Sequence, residues 1–168
     1  FRRVLFRSHH QYPTTVTMSA ARRLALMALA RRHRWAIFED DYDHEFHYDG
    51  RPVTPLAADD PDGHVVYVGT LSKVLAPGLR LGFVVAPPPV IATLATWRAA
   101  MDRQGDQPME AAVAELIDDG ELERHMRRMR VLYQARRDAL VAGLAARLPG
   151  VVTAPCPRGG LSLWATVA

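Results

Sequence analysis

Short apolar runs bounded by turn-forming residues mark the strands of this sequence. Runs of about four to eight apolar residues between glycine, proline or acidic turns are typical of strands buried in a sheet. The first run, residues 35–38, is followed by a predicted acidic turn over residues 39–43. The predicted strands are residues 35–38, 64–69, 81–86, 151–153 and 161–167.

Apolar positions spaced three and four residues apart predict helices between these strands. We expect Ser19 to cap the first helix, and Pro149 with Gly150 to end the last. The alternation of strands and helices predicts an α/β layer, followed by a long helix and the start of a smaller α+β unit. The predicted helices cover residues 20–33, 87 to about 103, 108–118 and 121–148.

Polar side chains follow two of the predicted strands where each strand ends. Asp40 and Tyr42 follow the first strand, and Thr70, Ser72 and Lys73 follow the second. In open α/β sheets, ligands bind beyond the carboxyl ends of the strands. The sequence therefore predicts one crevice that holds an acid, a phenol, two hydroxyls and an amine.

Composition adds weight to one of these residues. The chain has 168 residues, 49% hydrophobic and 23% charged, which is ordinary for a globular domain. Among its 21 Lys and Arg residues, Lys73 is the only lysine. Arginine stays protonated, whereas a desolvated lysine can lose its proton and attack a carbonyl. Lys73 therefore suggests amine chemistry; the alternative is chance survival in a composition biased toward arginine.

Charge and cysteine content narrow the functional classes. The net charge is +3, and the arginine-rich residues 124–137 lie on a predicted helix with acidic partners at Glu121, Glu123 and Asp138. We interpret this segment as a solvated helix face rather than a nucleic-acid interface. The single cysteine, Cys156, favours a reducing compartment such as the cytoplasm. No apolar run reaches the roughly 20 residues of a membrane span.

A metal site is the alternative interpretation of the acidic segment. His44 and His47, together with Asp41, Asp43 and Glu45, match the spacing of no closed metal site, so we expect none. We interpret the three acids as turn residues that support the site. Cys156 is interpreted as structural, and Arg158 has no motif that supports a role.

Two motifs resemble a known family. Residues 69–83 (GTLSKVLAPGLRLGF) and 38–46 (FEDDYDHEF) are similar to the core motifs of class I/II aminotransferases, which are pyridoxal-phosphate enzymes of fold type I. Residues 39–52 and 10–14 (HQYPT) resemble, more narrowly, the aminotransferase-like domain of MocR-type regulators. The resemblance runs from about Ser8 to the end and covers under half of such a domain. Thr15 stands where that subgroup usually has glycine.

The resemblance implies how the ring of pyridoxal 5'-phosphate is held. Lys73 would form a Schiff base with the cofactor aldehyde and later act as acid and base. Asp40 would pair with the pyridine nitrogen, and Tyr42 would bond the ring 3-oxygen. The alternatives are a turn acid for Asp40 and ordinary packing for Tyr42. His9 and His10 would be turn residues that line the pocket.

The resemblance also implies a phosphate site. Thr70 would hold the phosphate through its hydroxyl and Arg80 through a charge-assisted fork, with Ser72 as a weaker candidate. The turn at Pro77 and Gly78 would bring Arg80 back to the same phosphate. The alternative for Arg80 is a surface ion pair.

The implied organisation is that of a fragment. We expect residues 1–8 to be a doubtful, non-native start, 9–120 part of the cofactor-binding large domain, 121–148 the linking helix, and 149–168 the start of the small domain. In such proteins, the phosphate loop and the ring-stacking aromatic lie upstream, and the arginine for the substrate carboxylate lies downstream. The resemblance further implies a cytoplasmic homodimer.

Three functions follow from these observations. The first is an aminotransferase that moves an amino group between an amino acid or amine and a 2-oxo acid. The second is a sensor domain of a GntR-family regulator, which would reach DNA only through an upstream winged helix. The third is a fragment that folds poorly and binds nothing.

Overall fold

The structure is a computed structural model that describes the backbone of residues 3–6 and all of residues 11–50 and 53–168. The predictions made for Ser8, His9, His10 and Pro52 lie outside the described residues. None of the described helices has the length and apolar composition that a membrane crossing requires.

A sheet of four strands lies at the centre of the described residues. Strands β1 (Arg3–Phe6), β2 (Ala36–Asp41) and β3 (Val65–Thr70) are parallel neighbours, and β4 (Gly82–Val85) is antiparallel to β3. The carboxyl ends of the three parallel strands therefore meet at one edge, and β4 begins at that same edge. The helix over residues 20–33 connects β1 to β2, and three further helices follow β4; this combination of sheet and helices is the predicted α/β layer.

The described helices agree with the predicted ones to within about two residues at each end. Ser19 Oγ accepts the Arg22 N–H at 3.4 Å, which confirms the predicted cap of the first helix. Arg34 ends that helix in the left-handed conformation, with φ of 52°. The helices are α1 (Ala20–His33), α2 (Pro88–Met101), α3 (Gln107–Asp118) and α4 (Glu121–Arg147).

Thr15 occupies the turn position that favours glycine. Its φ is 60°, and the turn closes through Thr15 N–H to Gln11 O at 2.8 Å and Gln11 N–H to Val16 O at 3.1 Å. A left-handed conformation is uncommon for a β-branched residue. The turn at residues 11–16 is therefore closed by backbone bonds despite the strained conformation of Thr15.

Two apolar clusters hold these elements together. The first packs α1 against β2 and β3 through Met27, Ala30, Ile37, Leu56 and Val65. The second lies beyond the strand ends, where α3 and α4 cover the segment that follows β3. It contains Phe46, Leu71, Val74, Val113 and Leu122.

The predicted acidic turn at residues 39–43 is wrong over its first half. Strand β2 continues through Asp41, with Glu39 and Asp41 only 0% and 5% exposed. The Glu39 carboxylate accepts the N–H groups of Leu56 and Ala57 at 2.9 and 3.2 Å. These bonds to the short 3-10 helix Leu56–Asp59 satisfy a buried charge, which allows an acid to continue the strand.

The predicted strand at residues 161–167 is wrong over most of its length. Only Thr166–Val167 pairs with Val152–Thr153, as strands β6 and β5. The N–H of Gly160 donates to Phe46 O at 2.6 Å, and the N–H of Leu161 donates to the Asp43 carboxylate at 3.3 Å. The chain is thus drawn away from regular strand pairing at this point.

These bonds belong to a larger contact, which we name the clasp, between residues 43–49 and residues 157–161. The N–H groups of Tyr48 and Asp49 donate to Arg158 O at 3.0 and 3.1 Å, and the Tyr48 hydroxyl donates to Gly160 O at 3.0 Å. Gly160 has φ of 79°, a conformation that favours glycine. The clasp therefore fixes the loop after β2 against the C-terminal segment.

Helix α4 reinforces the clasp from outside. Arg137 donates to Pro157 O at 2.7 Å, pairs with Asp49 at 3.2 Å, and lies 4.7 Å over the Tyr48 ring. Its side chain is only 9% exposed. Arg130 donates to Glu45 O at 2.9 Å.

The predicted solvated face of residues 124–137 is therefore only partly correct. Arg124 and Arg127 form exposed ion pairs with Glu121 and Glu123. Arg130 and Arg137 instead point toward the loop after β2, because unpaired carbonyl groups there require donors.

Ile37 should be a main source of stability. It is fully buried in the first cluster, so Ile37→Ala removes buried apolar atoms and leaves a cavity. We expect the free energy of unfolding to fall by about 2–5 kcal/mol in urea denaturation. Leu24→Ala, at a side chain that is 73% exposed, is the matched control and should cost under about 0.5 kcal/mol. Equal losses in the two variants would contradict this packing.

Tyr48 should make stability depend on alkaline pH. Burial raises the pKa of Tyr48 to about 12, and the charge of Arg137 offsets only part of that effect. The folded chain holds this proton more tightly than the unfolded chain, whose tyrosine pKa is about 10. The resulting stability is complete below pH 10 and is lost as the pH rises through 12.

The test is urea denaturation at pH 7, 10 and 11.5 for the parent and for Tyr48→Phe. At pH 7 the variant should lose about 0.5–1.5 kcal/mol, because it lacks the bond to Gly160 O. Above pH 10 the parent should lose stability more steeply than the variant. The pKa of Tyr67 is also raised, but that residue is present in both proteins. Parallel losses above pH 10 would show that Tyr48 does not contribute.

Candidate active site

The structure brings the predicted site residues to one edge of the sheet. Asp40 is the second-to-last residue of β2, and in the parallel register it lies opposite Val68 of β3. Thr70 ends β3 and lies opposite Gly82, the first residue of β4. Tyr42 follows directly after β2. The predicted convergence of two neighbouring strand ends is therefore present.

Lys73 lies on the exposed side of a turn whose other side is buried. Leu75 N–H donates to Leu71 O at 2.9 Å, which closes the turn. Leu71 and Val74 are buried in the second apolar cluster. The ring Nε2 of His125 on α4 lies 3.1 Å from Val74 O. Packing thus fixes the backbone on both sides of Lys73 and leaves its side chain open.

The chain doubles back after Lys73, as predicted from Pro77 and Gly78. A 3-10 helix at Pro77–Leu79 is followed by Arg80 in the left-handed conformation, with φ of 51°. Leu71 N–H then donates to Leu81 O at 2.9 Å. Arg80 is thereby returned to the sheet edge that carries Thr70 and Lys73, where its exposed side chain also lines an open groove of about 990 Å³.

The Thr70 hydroxyl orders this turn. It accepts the Ser72 N–H at 3.1 Å and donates to Leu81 O at 3.3 Å. Ser72 is partly buried, and its backbone is held by this bond. Any group that binds at Thr70 must therefore compete with Leu81 O for the hydroxyl proton.

Glycine allows the two strands at this edge to approach closely. A Cβ atom built on Gly82 would lie 2.9 Å from Gly69 O, which no side chain tolerates without a shift of backbone. Gly82 therefore allows close backbone contact between β3 and β4, and the Phe83 ring lies against Gly69.

Acidic residues lie directly behind the site. Asp41 Oδ2 is 3.4 Å from Nδ1 of His44, and Asp41 also bonds the Tyr67 hydroxyl. The bond to Asp41 raises the pKa of His44 against the opposing effect of burial. Burial, followed by the charge of Asp41, raises the pKa of Tyr67. The contact with the buried Asp41 carboxylate therefore favours a positive charge on His44, next to the loop that carries Tyr42.

The sequence did not reveal several residues that position this site. Asp43, Tyr48 and Arg137 join the loop after Tyr42 to residues 157–161; of these, the sequence indicates a supporting role only for Asp43, and without its partner. A signal was present on α4: Arg130, Tyr133 and Arg137 are spaced by three and four, which places them on one helix face. Tyr133 packs edge-on against Phe46, with ring centres 5.0 Å apart.

The remaining predicted features are placed as follows. Cys156 is exposed. Arg158 takes part through its backbone carbonyl, which accepts two bonds of the clasp. Within the described residues, no group of three or more His, Cys, Asp or Glu side chains is arranged to hold a metal ion.

Comparison with known sequences agrees with this geometry. The sequence model of the family described as "Aminotransferase class I and II" matches residues 4–166. Aromatic-amino-acid aminotransferase 1 of Thermococcus litoralis is 36% identical over 157 residues, which are 94% of this chain and 38% of that protein. The probable rhizopine catabolism regulatory protein MocR of Rhizobium meliloti is 38% identical over 135 residues, 79% of this chain and 27% of that protein.

Solved structures agree as well. Kynurenine aminotransferase of Pyrococcus horikoshii superposes with a TM-score of 0.90 at 34% identity, covering 98% of this chain and 41% of that one. LysN is an α-aminoadipate aminotransferase of Thermus thermophilus, complexed with N-(5'-phosphopyridoxyl)-L-leucine. It superposes with a TM-score of 0.87 at 26% identity, covering 97% of this chain and 42% of that one. The chain thus spans under half the length of these proteins.

Relatives of both predicted kinds, enzymes and MocR-type regulators, are found. Motifs, strand order and relatives agree that the chain belongs to the class I and II aminotransferase family, with the fold type I architecture and the pyridoxal 5'-phosphate cofactor of that family.

Proposed function

We propose that this chain is part of a pyridoxal-phosphate-dependent aminotransferase and that Lys73 holds the cofactor covalently. One observation carries the proposal. The only lysine of the chain lies in an anchored turn at the sheet edge to which β2 brings Asp40 and β3 brings Thr70. A surface lysine retained by chance would have no reason to occupy this position.

The residues at this edge fit the chemistry of the cofactor. A primary amine suits its aldehyde, a carboxylate suits its protonated ring nitrogen, and a guanidinium suits its phosphate. Gly82 lets the start of β4 approach the end of β3 closely, because a Cβ atom there would lie 2.9 Å from Gly69 O. When bound, the cofactor supplies an electron sink for the substrate carbon.

Each side chain then has a defined task. The Lys73 amine would bond the cofactor and, once released, would move a proton at the substrate carbon. Asp40 would keep the proton on the ring nitrogen, and Tyr42 would donate a hydrogen bond to the ring oxygen. Arg80 would hold the phosphate through a charge-assisted contact, together with the hydroxyls of Thr70 and Ser72.

The second candidate is a sensor domain with the same cofactor chemistry. The segment EDDYDHEF at residues 39–46 favours it, as do regulators such as YhdI of Bacillus subtilis, which is 36% identical over 154 residues. In this case amine binding would shift a DNA-binding dimer between states. For either function we propose a cytoplasmic homodimer whose effector or substrate is an amino acid or amine. The sensor would contact DNA only through a winged helix upstream of this domain.

Covalent attachment at Lys73 is the first test. The purified chain is mixed with pyridoxal phosphate and reduced with borohydride, and the modified peptide is mapped by mass spectrometry. We expect one adduct per chain on Lys73, because the α-amine of Phe1 is the only other amine. Lys73→Arg keeps the charge but lacks the nucleophile, so the adduct should fall to background.

The control is circular dichroism of both proteins, which must show equal folding. A folded parent without an adduct on Lys73 would refute the cofactor role. Equal labelling of Phe1 in both proteins would represent background reaction and would not count as support.

Turnover separates the two candidate functions. The chain loaded with pyridoxal phosphate is incubated with aromatic amino acids and 2-oxoglutarate, and the keto acid formed is measured. For an aminotransferase we expect turnover that falls by about 100-fold or more in Asp40→Ala, because ring protonation is lost. Asp118→Ala, on the exposed end of α3, is the matched control. An amine that changes the cofactor absorption without forming keto acid would favour the sensor.

A further inference from the structure

We propose that Asp43 is a positioning residue for Tyr42. Its buried carboxylate holds the segment Gly159–Gly160–Leu161 against the loop after β2, and this contact sets the direction of the Tyr42 side chain at the cofactor ring. The inference rests on the proposed function, because it concerns the ring contact of Tyr42.

Asp43 is placed to act on its neighbour. It is only 2% exposed, and its Oδ2 accepts the N–H of Leu161, a residue 118 positions away, at 3.3 Å. Of the clasp residues with a side-chain bond to residues 157–161, Asp43 is the one adjacent to Tyr42 in sequence.

The segment that Asp43 holds lies beside Tyr42. Tyr42, Asp43, Gly159, Gly160 and Ser162 line the same narrow crevice, together with Tyr12 and its neighbours. Gly159 and Gly160 are buried, so their backbone packs closely there. A side chain confined in such a crevice has few rotamers, and the wall formed by Gly159 and Gly160 selects among them.

Two other clasp bonds also hold the segment of Gly159 and Gly160. Gly160 N–H to Phe46 O and Tyr48 hydroxyl to Gly160 O act three and more residues beyond Asp43. They keep the segment attached to the loop when Asp43 is altered. Removal of the Asp43 carboxylate therefore loosens the wall next to Tyr42 without opening the clasp.

Greater freedom of the segment of Gly159 and Gly160 should change the pH midpoint of the absorption band of the bound cofactor. The hydrogen bond from Tyr42 to the ring oxygen stabilises one protonation state of the cofactor, so the pH midpoint of its absorption band depends on that bond. A less confined Tyr42 side chain makes the bond for less of the time. The band midpoint then shifts toward the value found when the phenol is absent.

The experiment is a double-mutant cycle on the chain loaded with pyridoxal phosphate, read by absorbance from pH 5 to 10. We expect Asp43→Ala to move the midpoint by about half a pH unit or more, a threefold change in the proton equilibrium. Asp43→Asn keeps an acceptor for Leu161 N–H and should restore most of the parent value. In the Tyr42→Phe background, Asp43→Ala should cause no further shift. Asp118→Ala is the control for loss of a distant carboxylate.

Each other outcome overturns the inference. A shift that persists in Tyr42→Phe, or that is equally large in Asp43→Asn, means that Asp43 acts through its own charge. An unmoved midpoint in Asp43→Ala means that Tyr42 is held by other contacts. If Asp43→Ala does not fold, Asp43→Ser replaces it, because its oxygen is one bond too short to reach Leu161. A parent chain without a cofactor band refutes the proposed function itself, which distinguishes that failure from the others.

Discussion

The contact between residues 43–49 and residues 157–161 is the constraint on which the site depends. The loop after β2 leaves the sheet with polar backbone groups that no neighbouring strand satisfies, and buried groups of this kind require partners. Residues 157–161 supply these partners for Phe46, Tyr48 and Asp49. Without them the residue that follows Asp40 and Asp41, Tyr42, would lie on a loop of undefined course.

The same contact explains why some segments do not adopt the structure that their local sequence pattern predicts. Residues 161–165 have the composition of a strand, yet the bonds of Gly160 and Leu161 to Phe46 and Asp43 outweigh strand pairing. Arg137 has the spacing of a solvated helix residue, yet three partners on two segments hold it with its side chain 9% exposed. In both cases a local preference of a few tenths to one kcal/mol yields to several simultaneous tertiary bonds.

The difference between local preferences and tertiary bonds separates the features that the sequence predicts from those that it does not. Helix α1 with its Ser19 cap depends on contacts within a few residues, so periodicity predicts it. The turn that carries Lys73 is closed locally, by the bond from Leu75 N–H to Leu71 O, so a short motif contains both partners. The burial of Glu39 depends on N–H groups 17 and 18 residues away, and the inward direction of Arg130 on a carbonyl 85 residues away. In each pair the two partners lie too far apart in sequence for the local periodicity of a helix or strand to show that they meet.

Helix α4 connects the two halves of the site and sets their spacing. His125 contacts the carbonyl of Val74 in the lysine turn, and Arg130 contacts the carbonyl of Glu45 in the loop after Tyr42. These residues are separated along a rigid helix by roughly 7–8 Å of axial rise. Arg137 continues the series to Asp49 and Pro157, about 10 Å further along the same axis. One helix therefore fixes the lysine turn, the loop after Tyr42 and the segment of residues 157–161 relative to one another, through His125, Arg130 and Arg137.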